Sequence, residues 1–160
     1  MSRRSLAPRS RVSRATFTLV VAALVLASCT VTRGTPAPSP ADFGGISQQL
    51  QSRGLTITDV VSGDAGCSTP GLAASAISFH ASGLDQAAPV KVYLYIFADD
   101  EAMQRRHGDV DACARAYVHD AATFESLDVP PYVAVGQGPW AEAFRQRLRE
   151  GLTDAAGRGG

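Results

Sequence analysis

The chain has 160 residues, with 15 basic and 15 acidic side chains and a formal net charge of zero. Residues 1–28 carry five arginines (Arg3, Arg4, Arg9, Arg11, Arg14) and no acid, which leaves 10 basic and 15 acidic side chains, a net of −5, for residues 29–160. That length allows one domain with a tail or two. An apolar content of 45% argues against wholesale disorder, and the negative remainder disfavours nucleic acid as a partner, because phosphate contact needs a basic face.

The arginine-rich start leads into 13 largely apolar residues, 15–27, and then into Leu26-Ala27-Ser28-Cys29. A charged start, a short apolar core and small residues, in that order, read as a secretory signal. The core is shorter than the ~18 residues a spanning helix needs. Leu26-Ala27-Ser28-Cys29 resembles the lipobox of bacterial lipoproteins. That resemblance implies diacylglycerol on the Cys29 thiol, cleavage before Cys29 and a third acyl chain on the new amine. Each buried methylene contributes about 0.8 kcal/mol, so several chains hold a protein at a membrane where one does not. The expected address is therefore the extracytoplasmic face of the cell membrane, with the membrane as a partner through lipid on Cys29. Residues 29–41 follow as a tether. Pro36, Pro38 and Pro40 alternate along it, which disfavours helix and favours an extended chain of ~3.1 Å per residue.

With Cys29 lipidated, Cys67 and Cys113 remain. Outside the cytoplasm two leftover thiols usually pair. A bridge closing roughly 47 residues would stabilise by about 4 kcal/mol in the chain-entropy account. Two buried free thiols, or half of a metal site, are the alternatives, although no Cys or His stands at finger-like spacing.

A single domain is expected over residues 42–155, with a Gly-rich tail at 156–160. Ser39-Pro40-Ala41-Asp42 resembles a helix start, and Phe43, Ile46 and Leu50 share one helical face up to Gly54. Residues 55–61 are β-branched and read as a strand. A glycine-rich loop with Cys67 follows. Residues 76–82 alternate, with Ile77, Phe79 and Ala81 on one side and Ser78, His80 and Ser82 on the other. Residues 90–97 alternate more clearly: Val90, Val92, Leu94 and Ile96 against Lys91, Tyr93, Tyr95 and Phe97. The two stretches are read as a hairpin.

Asp99-Asp100-Glu101 opens a long helix, its acids placed where the helix dipole favours them, with Met103, Val110, Cys113 and Tyr117 as the buried stripe. Gly108 weakens its middle by about 1 kcal/mol relative to alanine. Residues 124–129 and 132–135 give one or two short strands broken by Pro130-Pro131. Pro139 starts a last helix that buries Trp140, Phe144, Leu148 and Leu152, with Glu142 placed to pair with Arg145 or Gln146. The order αβββαβα implies an α+β fold. A small, mostly antiparallel sheet of three to four strands has two or three helices packed on one of its faces.

The layout also resembles a group of small bacterial lipoproteins. The matching stretches are Gln48-Gln49-Leu50-Gln51-Ser52-Arg53-Gly54-Leu55, Val92-Tyr93-Leu94-Tyr95-Ile96-Phe97-Ala98-Asp99 and Tyr132-Val133-Ala134-Val135-Gly136. This resemblance implies the address and the fold and transfers no catalytic or binding residue.

The sequence holds no G-x-S-x-G elbow, no Walker loop and no Ser three residues before Lys91, its only lysine. Gly136-Gln137-Gly138 ahead of a helix is a turn with an N-cap or, less simply, an anion site. His107 and Asp111 stand at i, i+4 and read as a surface pair. No catalytic residue, cofactor or metal is expected. The candidate binding face is His80, Lys91, Tyr93 and Tyr95. Left open, it is a polar-aromatic platform; covered by a helix, the same residues are the edge of the core. The expected role is a non-catalytic binding or interaction module. The alternatives are a structural accessory of an envelope complex, with an envelope protein as partner, and a hydrolase.

Overall fold

The computed structural model describes residues 42–157. The signal, Cys29 and the tether through residue 41 lie outside the described residues, as do residues 158–160. Helix α1 spans Phe43–Ser52, strand β1 Thr56–Ser62, β2 Ala76–Gly83 and β3 Gln86–Ile96. Helix α2 spans Asp100–Tyr117, β4 Phe124–Val129, β5 Tyr132–Gln137 and α3 Glu142–Gly157. The fold is α+β, with one five-stranded antiparallel sheet in the order β1-β2-β3-β5-β4.

Two expectations are corrected. The order is αβββαββα rather than αβββαβα, because Pro130-Pro131 forms the turn of a hairpin between β4 and β5 instead of a break in one strand. The helices also do not share a face. Strand side chains alternate by two, and both sides of this sheet are apolar. Ile77, Phe79, Val92, Leu94, Ile96, Leu127 and Ala134 pack with Phe43, Ile46 and Leu50 of α1 and Phe144, Leu148 and Leu152 of α3. Ala76, Tyr93, Tyr95, Phe97, Val133 and Val135 pack with Met103, Val110 and Cys113 of α2. The first face carries two helices and the second carries one.

On the first face the helices approach closely at Gly151, where a Cβ would stand 2.8 Å from Leu50 Cδ2. Arg53 ties the same ends together, reaching Glu150 at 3.1 Å and Asp154 at 2.5 Å. Helix α3 runs through Ala156 and Gly157, which the sequence assigned to a tail. Ala156 is half-buried against the first-face core. On the second face Asp99 caps α2, its carboxylate accepting from Ala102 N–H at 2.7 Å. That helix passes Gly108 without a break.

Strand β1 is an edge. A bulge sets Asp59 and Val60 against one residue of β2, with Asp59 at φ 52°. Val60 and Val61 there are 49% and 50% exposed, and Leu84 in the β2–β3 turn is 52% exposed.

Candidate functional site

His80, Lys91, Tyr93 and Tyr95 do share a face, as the alternation of β2 and β3 requires. The register sets His80 opposite Lys91, Ser78 opposite Tyr93 and Ala76 opposite Tyr95. The face is split along its length. Tyr95 is 0% exposed and Tyr93 8%, whereas His80 is half-buried and Lys91 exposed. The open platform is therefore replaced by the covered alternative: α2 and residues 63–72 lie over the two tyrosines. The covering loop has no periodicity that a sequence would reveal.

Residues 63–72 are pinned by several kinds of contact. Gly63 N–H donates to Ala76 O at 2.9 Å, in the manner of a strand continuing. The carboxylate of Asp64 accepts from Ser78 Oγ at 2.6 Å, Lys91 Nζ at 2.9 Å and Gly66 N–H at 2.9 Å. Tyr95 OH donates to Ala65 O at 2.8 Å. Cys67 and Cys113 stand at disulfide distance, with Cα atoms 5.4 Å apart, so the loop is joined to α2. Arg106 of α2 donates to Pro70 O at 2.9 Å and is itself held by Asp109 at 2.6 Å.

The electrostatics follow from these contacts. Partial burial pushes the Asp64 carboxyl up, but the hydrogen bonds from Ser78, Lys91 and Gly66 outweigh it and hold the group below its ordinary range. Its hydrogen bond to Asp64 in turn raises the Lys91 ammonium above its usual value. Lys91 Nζ also lies 4.8 Å from the centroid of the Tyr93 ring. Burial pushes the Tyr95 phenol up to about 12 and the Tyr117 phenol up strongly as well. The rings of Tyr93 and Tyr117 stack with centroids 4.1 Å apart. Ser78 is fully buried with its hydroxyl committed to Asp64, so it offers no free nucleophile. The cluster positions a loop over an aromatic wall, and its exposed rim is Lys91, His80 and Asp59, the last 3.1 Å from His80 Nδ1.

Sequence reasoning placed Ser78 on this face but missed Asp64 and Asp59 as its partners. Tyr117 was placed on the buried stripe of α2 but not on Tyr93. The one available signal was the run of glycines at 63, 66 and 71, all at positive φ, which marks a loop bent tightly enough to follow a surface.

Two other features resolve. The turn at residues 136–138 does not leave a free helix N-terminus. Asp85 and Gln86, from the β2–β3 hairpin, accept from Ala143, Phe144 and Ala141 N–H, each at 2.9 Å, and Glu125 accepts from Trp140 N–H at 3.2 Å. Arg145 pairs with Glu125 at 3.4 Å instead of with Glu142. His107 does face Asp111, at 3.3 Å, and additionally meets Asp128 of β4 at 3.0 Å.

No known protein family, curated protein or solved structure matches this chain. Among the described residues no helix is long and apolar enough to cross a membrane.

Proposed function

We propose that this chain is a lipoprotein held at the extracytoplasmic face of the cell membrane by lipid on Cys29, and that its α+β domain is a non-catalytic binding or interaction module. The observation that supports this reading is the Cys67–Cys113 pair, at disulfide distance in the second-face core. Such a pair persists in an oxidising compartment, which is where a chain with this signal, lipobox and tether would be delivered. A second reading, a structural accessory of an envelope complex, draws on β1. That strand ends the sheet and presents Val60 and Val61 to solvent, an edge open to a further partner.

Intact-mass measurement and detergent phase partition of the native protein test the proposal, with Cys29→Ala as the comparison. The expected result is a wild-type product that begins at Cys29, carries acyl chains and enters the detergent phase, and a Cys29→Ala product that does none of these. An unacylated wild-type product beginning at Met1 overturns the reading.

A further inference from the structure

Gly66 and Gly71 have φ of 73° and 77°, a left-handed backbone that glycine adopts without strain. No residue from 66 to 71 is buried. On one side Asp64 and Ala65 are fastened to the sheet; on the other Leu72 is fully buried. Between these anchors, two ties reach the body of the domain: the Cys67–Cys113 bond and the hydrogen bond from Arg106 to Pro70 O. The hydrogen bonds of Thr69 are local, to Cys67 and from Leu72 N–H. Gly66 itself lies on the stacked rings, since a Cβ there would come within 2.5 Å of Tyr117 Cδ1 and 2.8 Å of Tyr93 Cε1.

We propose that residues 66–71 form a flap hinged at Gly66 and Gly71 and latched by the Cys67–Cys113 disulfide, and that an external dithiol opens it and uncovers the Tyr93–Tyr117 pair. A thiolate of the dithiol attacks Cys67 Sγ, the half-buried member of the pair. The Sγ–Sγ bond breaks, and Cys113 leaves as a thiolate and takes a proton. Tyr95 OH stands 3.4 Å from that sulfur, with its one proton donated to Ala65 O. The second thiol of the reductant then attacks the mixed disulfide and expels Cys67. The reductant ends as its own disulfide, and the protein has gained two electrons and two protons. The first-face core contains no residue of the flap or of α2. That half of the domain keeps its packing. The device belongs to the domain alone and does not require lipid on Cys29.

Hydrogen exchange read by mass spectrometry on the full chain, before and after dithiothreitol, tests the latch. Nitration of tyrosines by tetranitromethane provides a second readout. Reduction is expected to speed exchange of the Gly66 and Thr69 amides, the two N–H groups of the flap that have acceptors, by about tenfold or more and to raise nitration at Tyr93 and Tyr117. Exchange in residues 43–52 and 142–157 stays as it was, and reoxidation reverses the change. Arg106→Ala, which removes the remaining tie, enlarges the effect in the reduced protein and leaves the oxidised one nearly unaltered. Three results overturn the proposal: a bridge that dithiothreitol does not reduce in the native protein, unchanged exchange at residues 66–71 once both thiols are free, and loss of protection in residues 43–52 and 142–157 together with the flap. The last would make the disulfide a staple of the whole domain.

Discussion

Asp85 and Phe144 are joined across 59 residues of sequence: the carboxylate of a residue in the β2–β3 turn accepts the backbone N–H of Phe144 at 2.9 Å and that of Ala143 at 2.9 Å. A helix leaves its first N–H groups without intrahelical partners, and here a distant hairpin supplies them. The hydrogen bond from Ala143 N–H is the main influence on the Asp85 carboxyl and holds it below the ordinary aspartate value, against a smaller opposing effect of burial. A depressed folded value gives stabilisation that is present above the unfolded value and is lost as pH falls through the folded one. Asp85→Ala is therefore expected to lower Tm by about 5 °C at neutral pH. The gap from wild type should shrink as pH falls below about 4. Thermal melts of both proteins across that range check it; a gap independent of pH would remove the carboxylate from the account.

Tyr95 belongs to the core. It is fully buried, and its hydroxyl donates to Ala65 O. Truncating such a ring costs both the transfer of the lost atoms and the cavity left behind. Tyr95→Ala is thus expected to destabilise by about 3–5 kcal/mol. Tyr95→Phe keeps the ring but leaves a buried carbonyl without its donor, at a cost of about 1–2 kcal/mol. Urea denaturation of the three proteins measures both. A Tyr95→Ala protein as stable as wild type would return this side chain to an open surface.

Part of this was legible and part was not, for identifiable reasons. The two faces of β3 could be read because Val92, Leu94 and Ile96 alternate with Tyr93, Tyr95 and Phe97, and a period of two survives in either register. Which faces the helices would cover could not be read. Both sides of that strand are apolar enough to bury, and the loop that decides the second side is irregular. Strand β4 has its expected bounds, 124–129, although Glu125 and Asp128 interrupt its apolar pattern, each held by a partner on a helix: Arg145 on α3 and His107 on α2. The start of α3 was placed at Pro139 rather than Glu142 because the N–H groups of Trp140 and Ala141 are taken by Glu125 and Gln86, which are remote in sequence.

His107 links α2 to the edge strand β4. Burial opposes its charge, but the nearby carboxylates of Asp128 and Asp111 outweigh that and raise its pKa above the ordinary histidine value. A raised folded value means the contribution is complete below the unfolded value of about 6.5 and is lost as pH climbs through the folded one. Wild type should therefore exceed His107→Gln in Tm at about pH 5.5 and approach it at about pH 8.5. Added salt narrows the low-pH difference, because these groups are partly exposed and screened. The same difference at both pH values would mean the ring contributes by packing alone.

Two glycines should respond in opposite senses to the same change. At Gly108, inside α2, an added Cβ meets nothing within 4 Å, and the backbone is already helical. Alanine there restricts the unfolded chain and adds no clash, so Gly108→Ala is expected to stabilise by about 1 kcal/mol. At Gly66 the backbone has φ 73°, and a Cβ would stand 2.5 Å and 2.7 Å from ring atoms of Tyr117 and 2.8 Å from one of Tyr93. Those rings stack on each other within a packed core, so relief of the clash requires the loop itself to rise. Gly66→Ala is expected to destabilise by about 1–3 kcal/mol and to perturb the near-UV tyrosine signal, which Gly108→Ala leaves alone. Equal stability changes of one sign in the two variants would show that the rings give way more readily than their packing implies.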